Sequence, residues 1–424
     1  MASATSNSPS TLKQNLPWIR EQFPALKLES NGRPVVFLDG PGGTQVPQRV
    51  LDAMNDYLVR SNANHHGAFE TARRTEATIA AAHSAIADMF GCDDDEVFFG
   101  QNMTSLTFAL SRAIGRELVP GDEVVVTTLD HDANIAPWLA LAEKGVTTRW
   151  VDINDDTCTL NMHDLSTKIT RKTKLVAVGY ASNSVGTINH LERIISLAHE
   201  NGAMVFVDAV HYAPHGPIDV RALDCDFLAC STYKFFGPHL GVIYGKRSHL
   251  ERLRPYKVRP ASEDLPDRWE TGTQNHEGMA GLCDAISYLA ELGQRIDPTV
   301  ETRRAAIVAG YKAVQSYERE LSTQLISGLL AIPGLTFYGI TNLDWLDRRT
   351  PTVSFTLAGH TPAEIAARLS DAGIFVWDGN FYAISLTERL KLEDKGGLLR
   401  VGAVHYNTSE EVERLLQEIK KIAG

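Results

Sequence analysis

Short apolar runs alternate with helical segments along most of this 424-residue chain, and this alternation limits the fold more than any other feature. The clearest runs are Val97–Phe99, Val124–Val126, Leu175–Val178, Met204–Val207 and Phe227–Ala229. Strands that alternate with helices predict an α/β domain with a mostly parallel sheet, covered on both faces. The carboxyl ends of such strands meet at one edge of the sheet, where proteins of this class bind ligands.

A lysine and an aspartate follow two of these runs. Lys234 stands among hydroxyls and aromatic rings in the segment 231–237, and such surroundings favour the neutral amine that a nucleophile requires. The alternative is a strand-end lysine whose head stays in water. Asp208 directly follows the run 204–207, where a carboxylate could keep the ring nitrogen of a pyridine cofactor protonated. Together the two residues favour pyridoxal phosphate (PLP) as cofactor.

Other strand ends carry side chains that fit the same cofactor. His131 could stack on its ring, or could be a structural histidine. Asn183 could bond the phenolic oxygen, or could form an Asx-turn. The segment 100–105 opens a helix and could cradle a phosphate. Equally, Thr104 or Ser105 could be an ordinary N-cap.

The glycine-rich run Gly40–Thr44 follows a strand-like segment, Pro34–Leu38. Its spacing fits neither a dinucleotide fingerprint nor a P-loop. Small residues there would let the backbone approach a substrate carboxylate, and a simple tight turn explains them equally well.

The chain is longer than one ordinary core needs, so a large domain and a smaller one are expected. An amphipathic helix is predicted over Leu12–Phe23. A long helix over Pro298–Leu321, with Asp297 as its N-cap, is predicted to join the two domains. We predict an N-terminal helical segment that packs with the small domain, a large cofactor-binding domain and a small α+β C-terminal domain, with the bounds 1–33, 34–293 and 294–424.

Charge and composition exclude several kinds of partner. The net charge of −11, with no basic stripe, argues against nucleic acid and anionic membrane. No apolar run approaches the length of a membrane span, and residues 1–11 lack the features of a signal peptide. The five cysteines form no Cys-x-x-Cys pattern, which indicates a reducing compartment and no structural metal. We therefore expect a cytoplasmic protein.

The chain resembles the class V aminotransferases of PLP fold type I, and within them the cysteine desulfurase and selenocysteine lyase branch. The similarity runs from about Phe23 to Ile422. The matching stretches are Phe37-Leu38-Asp39, His131-x-Ala133-Asn134, Ser182-Asn183, Asp208-x-x-His211, Ser231 to Gly237, Gly272-Thr273 and Leu399-Arg400-Val401-Gly402.

The resemblance implies roles in catalysis for three residues. Lys234 would be the Schiff-base lysine, Asp208 would pair with the pyridinium nitrogen and His131 would stack on the ring. Asn183 and His211 would lie near the phenolic oxygen.

The resemblance also implies where the phosphate and the substrate bind. The phosphate would be held at the segment Asn102-Met103-Thr104, by Ser231 and Tyr233, and by Thr273 from the second subunit of a homodimer. Arg400 would bind the carboxylate of a small amino-acid substrate, because a planar guanidinium suits a carboxylate. Gly42 and Tyr382 would complete the substrate site.

One loop departs from the family pattern. Cysteine desulfurases carry a sulfur-accepting cysteine before the arginine, and the comparable segment 376–383 contains no cysteine. Tyr382 stands at about that position, and Trp377 stands where an arginine is common. A phenol cannot accept sulfur as a thiolate does, so we do not expect persulfide formation.

The reaction predicted from these residues is a lyase-type β-elimination. The alternatives are an aminotransferase or an epimerase of the same family, and outside enzymes a PLP-fold binding or regulatory protein. Tyr382 is either a second proton donor or a loop aromatic that packs at the entrance.

Overall fold

The computed structural model describes residues 11–424. The prediction about the N-terminal segment 1–11 therefore falls almost wholly outside the described residues, as does the first part of the predicted segment 1–33. Among the described residues, no helix is long and apolar enough to cross a membrane.

A seven-stranded sheet forms the centre of the N-terminal two thirds of the chain. Four neighbouring strand pairs are parallel, and the two pairs made by Gly241–Gly245 are antiparallel. Across the sheet the strands are, in order, Val97–Gly100, Gly241–Gly245, Phe227–Ser231, Met204–Asp208, Thr173–Gly179, Glu123–Thr127 and Thr147–Val151. The predicted α/β fold with a mostly parallel sheet is confirmed.

Helices flank this sheet and continue to the C-terminus. The α-helices span Leu12–Gln22, Gln48–Arg60, Glu70–Phe90, Met103–Ile114, Ala136–Leu139, Met162–Lys168, Leu191–Glu200, Val220–Leu223, Arg247–Arg252, His276–Ile296, Arg303–Leu330, Pro362–Asp371, Ile384–Arg389 and Ser409–Ala423.

A smaller antiparallel sheet lies in the C-terminal third. Its strands are, in order, Leu335–Tyr338, Thr352–Leu357, Leu398–Gly402 and Trp377–Gly379. In its register Trp377 pairs with Arg400. A separate two-stranded pair joins Val36–Phe37 to Ile374–Phe375, which ties the start of the chain to this region.

The two sheets share one continuous cluster of buried apolar side chains, which includes Val207 of the large sheet and Val401 of the small one. The first helix also joins both regions. Trp18 stacks on Tyr288, and Arg20 forms an ion pair with Glu411. The strands of both sheets are therefore held in fixed relation by packing.

Two predicted helix caps are wrong. The long helix begins at Arg303, after Thr302, whose side chain caps it. Asp297 instead ends the preceding helix, and its carboxylate accepts two hydrogen bonds from Thr299 in a turn. The helix Met103–Ile114 is capped by Asn102, which accepts from the Ser105 amide, and not by Thr104 or Ser105. Asparagine satisfies this orphan donor from the N-cap position.

Candidate active site

Lys234 ends a short 3-10 turn that follows the strand Phe227–Ser231. The turn is held from outside by Thr44, whose amide donates to the carbonyl of Tyr233 over 3.1 Å. The Thr44 hydroxyl accepts from the amide of Phe236 over 2.8 Å, and Phe236 has a positive φ of 71°. The glycine-rich run thus fixes the backbone that carries the lysine.

The environment of Lys234 favours a neutral amine. Burial, and then the nearby guanidinium of Arg400, lower the pKa of Lys234 to about 7, although Asp208 and Asp39 oppose this shift. Its Nζ donates a hydrogen bond to the carbonyl of Pro41. A lysine whose pKa lies near physiological pH is present in part as the neutral amine, which is suited to nucleophilic attack and to proton transfer.

Asp208 ends the central strand Met204–Asp208 and is buried. Its Oδ1 accepts a hydrogen bond from the Val210 amide over 2.9 Å. Burial raises the pKa of Asp208 to about 6, against the opposing effects of this bond and of Lys234. A cation placed against the carboxylate would favour its charged form, so the site is suited to a protonated ring nitrogen.

His131 begins the turn after the strand Glu123–Thr127. Its Nδ1 accepts a hydrogen bond from the Ala133 amide over 3.0 Å, so the proton of the neutral ring is on Nε2. Burial lowers the pKa of His131 to about 4, and the cations Lys234 and Arg400 contribute. The His131 ring stacks on the Tyr382 ring, with a centroid distance of 5.5 Å and an interplanar angle of 20°.

Asn183 and His211 both lie close to Arg400. The Nδ2 of Asn183 donates to the carbonyl of Phe381 over 2.9 Å. Its buried Oδ1 has no hydrogen-bond partner in the described part of the chain. His211 Nε2 lies 3.1 Å from the Thr350 hydroxyl, and burial lowers the pKa of His211 well below its ordinary value.

The helix Met103–Ile114 begins beside the lysine turn. The Met103 amide donates to the hydroxyl of Ser231 over 3.2 Å, so this serine ties the helix to its strand. Thr104 is exposed in the first turn, where backbone amides lack intrahelical partners. Gly241 permits the close approach, because a Cβ there would lie 2.3 Å from the backbone of Asn102.

Arg400 is the buried cation of the site, at 4% exposure, on the small-sheet strand Leu398–Gly402. Its Nη1 donates to the carbonyl of Asn183 over 2.9 Å. Its buried Nε has no partner within residues 11–424. Burial lowers the pKa of Arg400 to about 9. An unsatisfied, buried N–H on a guanidinium is suited to an incoming carboxylate.

Asp39 is a site residue that the sequence motifs contained but to which no role was assigned. It interacts electrostatically with both Arg400 and Lys234, and burial raises its pKa to about 6. No hydrogen-bond donor in the described residues reaches its Oδ1. The sequence feature that could have identified Asp39 is its position directly after a strand-like segment, which it shares with other residues of the site.

Gly42 contacts Trp377. A Cβ at Gly42 would lie 2.2 Å from the indole Nε1, so any other residue there would displace the indole from this position. Tyr382 is 74% exposed and follows Phe381, whose ring centroid is 4.1 Å from Arg400 Cζ. Phe381 and Trp377 were not among the predicted site residues.

The two remaining residues predicted to bind the phosphate are Tyr233 and Thr273. Tyr233 is half-buried, its ring stacks on His239, and the ring centroid is 5.0 Å from Lys234 Nζ. Thr273 is exposed in the loop before the helix His276–Ile296. Its predicted role requires a second subunit and stays a prediction.

The residues present fit PLP. The orphaned Oδ1 of Asn183, the buried carboxylate of Asp208, the flat ring of His131 and the helix N-terminus at Met103 supply the kinds of groups that the cofactor needs. Lys234 lies among them with a lowered pKa.

A family model for class-V aminotransferases matches residues 36–415. The aminotransferase-like protein FGM3 of Gibberella zeae is 32% identical, over 95% of this chain and 97% of its own length. A probable cysteine desulfurase of Halalkalibacterium halodurans is 31% identical, over 95% of this chain and 97% of its own length.

Among solved structures, the cysteine desulfurase CsdA of Escherichia coli is similar with a TM-score of 0.81 and 27% sequence identity. The match covers 96% of this chain and 98% of that chain. The predicted fold type and cofactor, and the prediction of a PLP-dependent enzyme, are thereby confirmed. The chain belongs to the class V aminotransferases, a family of PLP-dependent enzymes, and has cysteine desulfurases among its homologues.

Proposed function

We propose that this enzyme is a lyase that eliminates a β-substituent from a small α-amino acid without forming an enzyme persulfide. One observation carries the proposal: the segment 376–383, which packs beside Arg400, has no thiol. Burial raises the pKa of every cysteine in the chain, which disfavours the thiolate that would accept sulfur. The five are Cys92, Cys158, Cys225, Cys230 and Cys283.

The cofactor would be held by the residues described above. Asp208 would face the ring nitrogen, His131 would stack on the ring, and Asn183 and His211 would face the phenolic oxygen. The phosphate would lie at the N-terminus of the helix Met103–Ile114. The groups proposed to hold the phosphate are Asn102, Met103, Thr104, Ser231, Tyr233 and, from a partner subunit, Thr273. When bound, PLP supplies an electron sink for the electron pair left at Cα.

Arg400 and Lys234 would act on different parts of the substrate, its carboxylate and its Cα proton. Arg400 would bind the α-carboxylate, beside Gly42, through its Nε edge, to which no described residue is hydrogen-bonded. Lys234, whose pKa is lowered to about 7, would take the Cα proton as a neutral amine. A β-substituent that leaves as an anion would then need only a proton, and no enzyme thiol is required to receive it.

The position of Tyr382 supports packing over proton donation. Its side chain is 74% exposed and its ring lies against His131. An epimerase needs a second acid on the opposite face of Cα, and a mostly solvent-exposed phenol is poorly suited to that role. Transamination would keep the β-substituent and transfer the amino group to an acceptor, so product analysis must separate it from elimination.

The test is incubation of the PLP-loaded enzyme with L-cysteine. We expect sulfide and pyruvate in equal amounts, no alanine, and no persulfide on any cysteine by mass spectrometry of the intact protein. Formation of alanine together with a protein persulfide would contradict the proposal. An amino acid formed from an added keto acid would instead establish transamination.

We also propose a homodimer in the cytoplasm. The dimer is supported by the exposure of Thr273, whose proposed phosphate role requires a neighbouring subunit. The compartment is supported by five cysteines that are all unpaired. Light scattering at micromolar concentration should give twice the mass of one chain, and a PLP-loaded monomer would remove the role assigned to Thr273.

A further inference from the structure

The surface beside the carboxylate-binding edge of Arg400 is aromatic. Trp377 is the direct cross-strand partner of Arg400, so both side chains leave the small sheet on the same face. Phe381 covers the guanidinium at 4.1 Å, and Tyr382 follows it along the chain. We call Trp377, Phe381 and Tyr382 the aromatic wall.

Hydrogen bonds fix the position of this wall. The carbonyl of Phe381 accepts from Asn183 Nδ2 over 2.9 Å, and the carbonyl of Tyr382 accepts from the Asp132 amide over 2.7 Å. The Tyr382 amide in turn donates to Asn380 Oδ1 over 3.1 Å. The wall is therefore anchored on the loops that follow two strands of the large sheet.

Trp377 is anchored by shape instead. Its indole lies where a Cβ at residue 42 would be, so the ring rests directly on the backbone of Gly42. Half of the Trp377 side-chain surface is nevertheless exposed. The glycine-rich run thus holds an indole at the substrate side of the site, where it can contact a bound molecule.

Exposed aromatic surface at the mouth of a binding site is suited to apolar and aromatic groups. Ring pairs and apolar contacts stabilise such a complex, whereas an anionic group placed against the wall would lose hydration without gaining a partner. Trp377 and Tyr382, at 50% and 74% exposure, are the parts of the wall with most free surface.

We propose that the aromatic wall selects α-amino acids whose side chain ends in an aromatic or other apolar group, and that the substrate is a cysteine whose sulfur carries such a group. The second half of this statement rests on the proposed lyase function and names its substrate class. Arg400 would hold the carboxylate, and the sulfur substituent would lie against Trp377 and Phe381.

The reaction balances without a further reagent except water. Lys234 takes the Cα proton, the Cβ–S bond breaks, and the thiolate leaves with the bonding electron pair and acquires a proton. The three-carbon remainder takes up water and gives pyruvate and ammonium. A thioether of cysteine and one water therefore yield a thiol, pyruvate and ammonium, with no change in the sum of oxidation states.

Binding is tested first, with ligands that have no amine and cannot react. Calorimetry with the PLP-loaded enzyme compares 4-phenylbutanoate with butanoate. We expect the phenyl compound to bind about 10-fold more tightly, since its ring gains the contact with the wall. Trp377→Ala should remove most of this preference and leave butanoate binding within about twofold, while Trp377→Phe should retain part of it.

The matched control is Trp345→Ala, which removes another partly exposed tryptophan, one that contacts Arg348 instead of the wall. It should leave the ratio of the two affinities unchanged. Equal affinity for the two carboxylates in the wild-type enzyme, or an equal loss of both in Trp377→Ala, would overturn the proposed selection.

The reaction is tested separately with S-benzyl-L-cysteine, S-methyl-L-cysteine and S-carboxymethyl-L-cysteine. Pyruvate and the free thiol should form with the highest kcat/KM from the benzyl compound and the lowest from the carboxymethyl compound. Tight binding of 4-phenylbutanoate with no pyruvate from any of the three would overturn the lyase step, but the ligand class would stand. Pyruvate formation that is fastest from the carboxymethyl compound would keep the lyase and overturn the substrate class.

Discussion

The cofactor side and the substrate side of this site are built in different ways. On the cofactor side, Asp208 ends one strand of the large sheet and Lys234 follows the neighbouring parallel strand. On the substrate side, Arg400 lies on the small sheet, and the loop beside it has two successive non-glycine residues at positive φ, Phe381 at 57° and Tyr382 at 58°.

This difference matters because substitutions are tolerated differently at the end of a sheet strand and in a loop. A strand end in a buried parallel sheet is fixed by ladder hydrogen bonds on both sides. A non-glycine residue in the left-handed region costs about 1–3 kcal/mol and persists only where its surroundings hold it. We infer that the chemistry shared with the family depends on the sheet, and that substrate selection depends on a strained loop that can vary without disturbing the sheet.

The largest expected effect is on the cofactor side. Lys234→Ala should lower the rate by about 10²–10⁴-fold or more, since it removes the proposed base. Borohydride reduction of the wild-type enzyme should fix PLP on the peptide that contains Lys234, and the variant should give no fixed adduct. Peptide mapping by mass spectrometry makes the measurement. Lys172→Ala, at an exposed lysine, is the control, and labelling of any other lysine in the wild type would contradict the assignment.

Arg400→Ala should have the next largest effect, chiefly on substrate binding. We expect substrate binding to weaken by about 2–5 kcal/mol, because a buried carboxylate would lose its charged partner. The visible absorbance of bound PLP should persist. Titration of both signals makes the measurement, with exposed Arg171→Ala as the control. Loss of PLP from Arg400→Ala would show that Arg400 also serves the cofactor, which would contradict the separation of a cofactor side from a substrate side.

Lys234 should also leave a pH signature on the stability of the cofactor-free protein. Its pKa is lowered to about 7 from an ordinary 10.5, so the unfolded chain binds more protons between those values. The free energy of unfolding therefore rises with pH in this window on account of Lys234. Lys234→Met lacks this dependence.

The stability advantage of Lys234→Met over wild type should be greatest at and below pH 7 and should shrink as pH rises towards 10.5. Urea unfolding of both cofactor-free proteins at several pH values tests this. An advantage that grows with pH in this range would show that the lysine is not held neutral by the fold.

The smallest expected effect is at the loop hydroxyl. Tyr382→Phe keeps the ring against His131, so kcat should change by less than about twofold. Tyr382→Ala, which removes the stacked ring, is the comparison variant. A drop of about 100-fold or more in kcat for Tyr382→Phe would identify the phenol as a proton donor and reopen epimerisation.

Much of the cofactor side could be predicted because its residues follow apolar runs. Asp208, His131, Asn183 and Lys234 each come after a strand that periodicity identifies, and parallel strands bring such ends together. Helix ends were harder. Asp297 and Thr302 are both good caps, and only the packing of the preceding helix decides that the first of them ends one helix and the second begins the next.

The substrate side could be predicted only in part. The family motifs predict Arg400 and Gly42 as substrate residues, whereas Phe381, Trp377 and Asp39 were not assigned to the site. Trp377 lies beside Arg400 because their strands pair. It also contacts Gly42, which is more than 300 residues away in the sequence. No local pattern carries such a contact.

The sequence by itself determined the fold class and the cofactor, because short-range periodicity sets the strands and the strand ends carry polar groups suited to the cofactor. It also predicts that Lys234 is the lysine that bears the chemistry. Only the tertiary structure decided how the small sheet lies against the large one. That packing buries Arg400, whose Nε has no partner among residues 11–424, and lowers the pKa of Lys234. Both effects depend on removing water from groups that are distant in sequence.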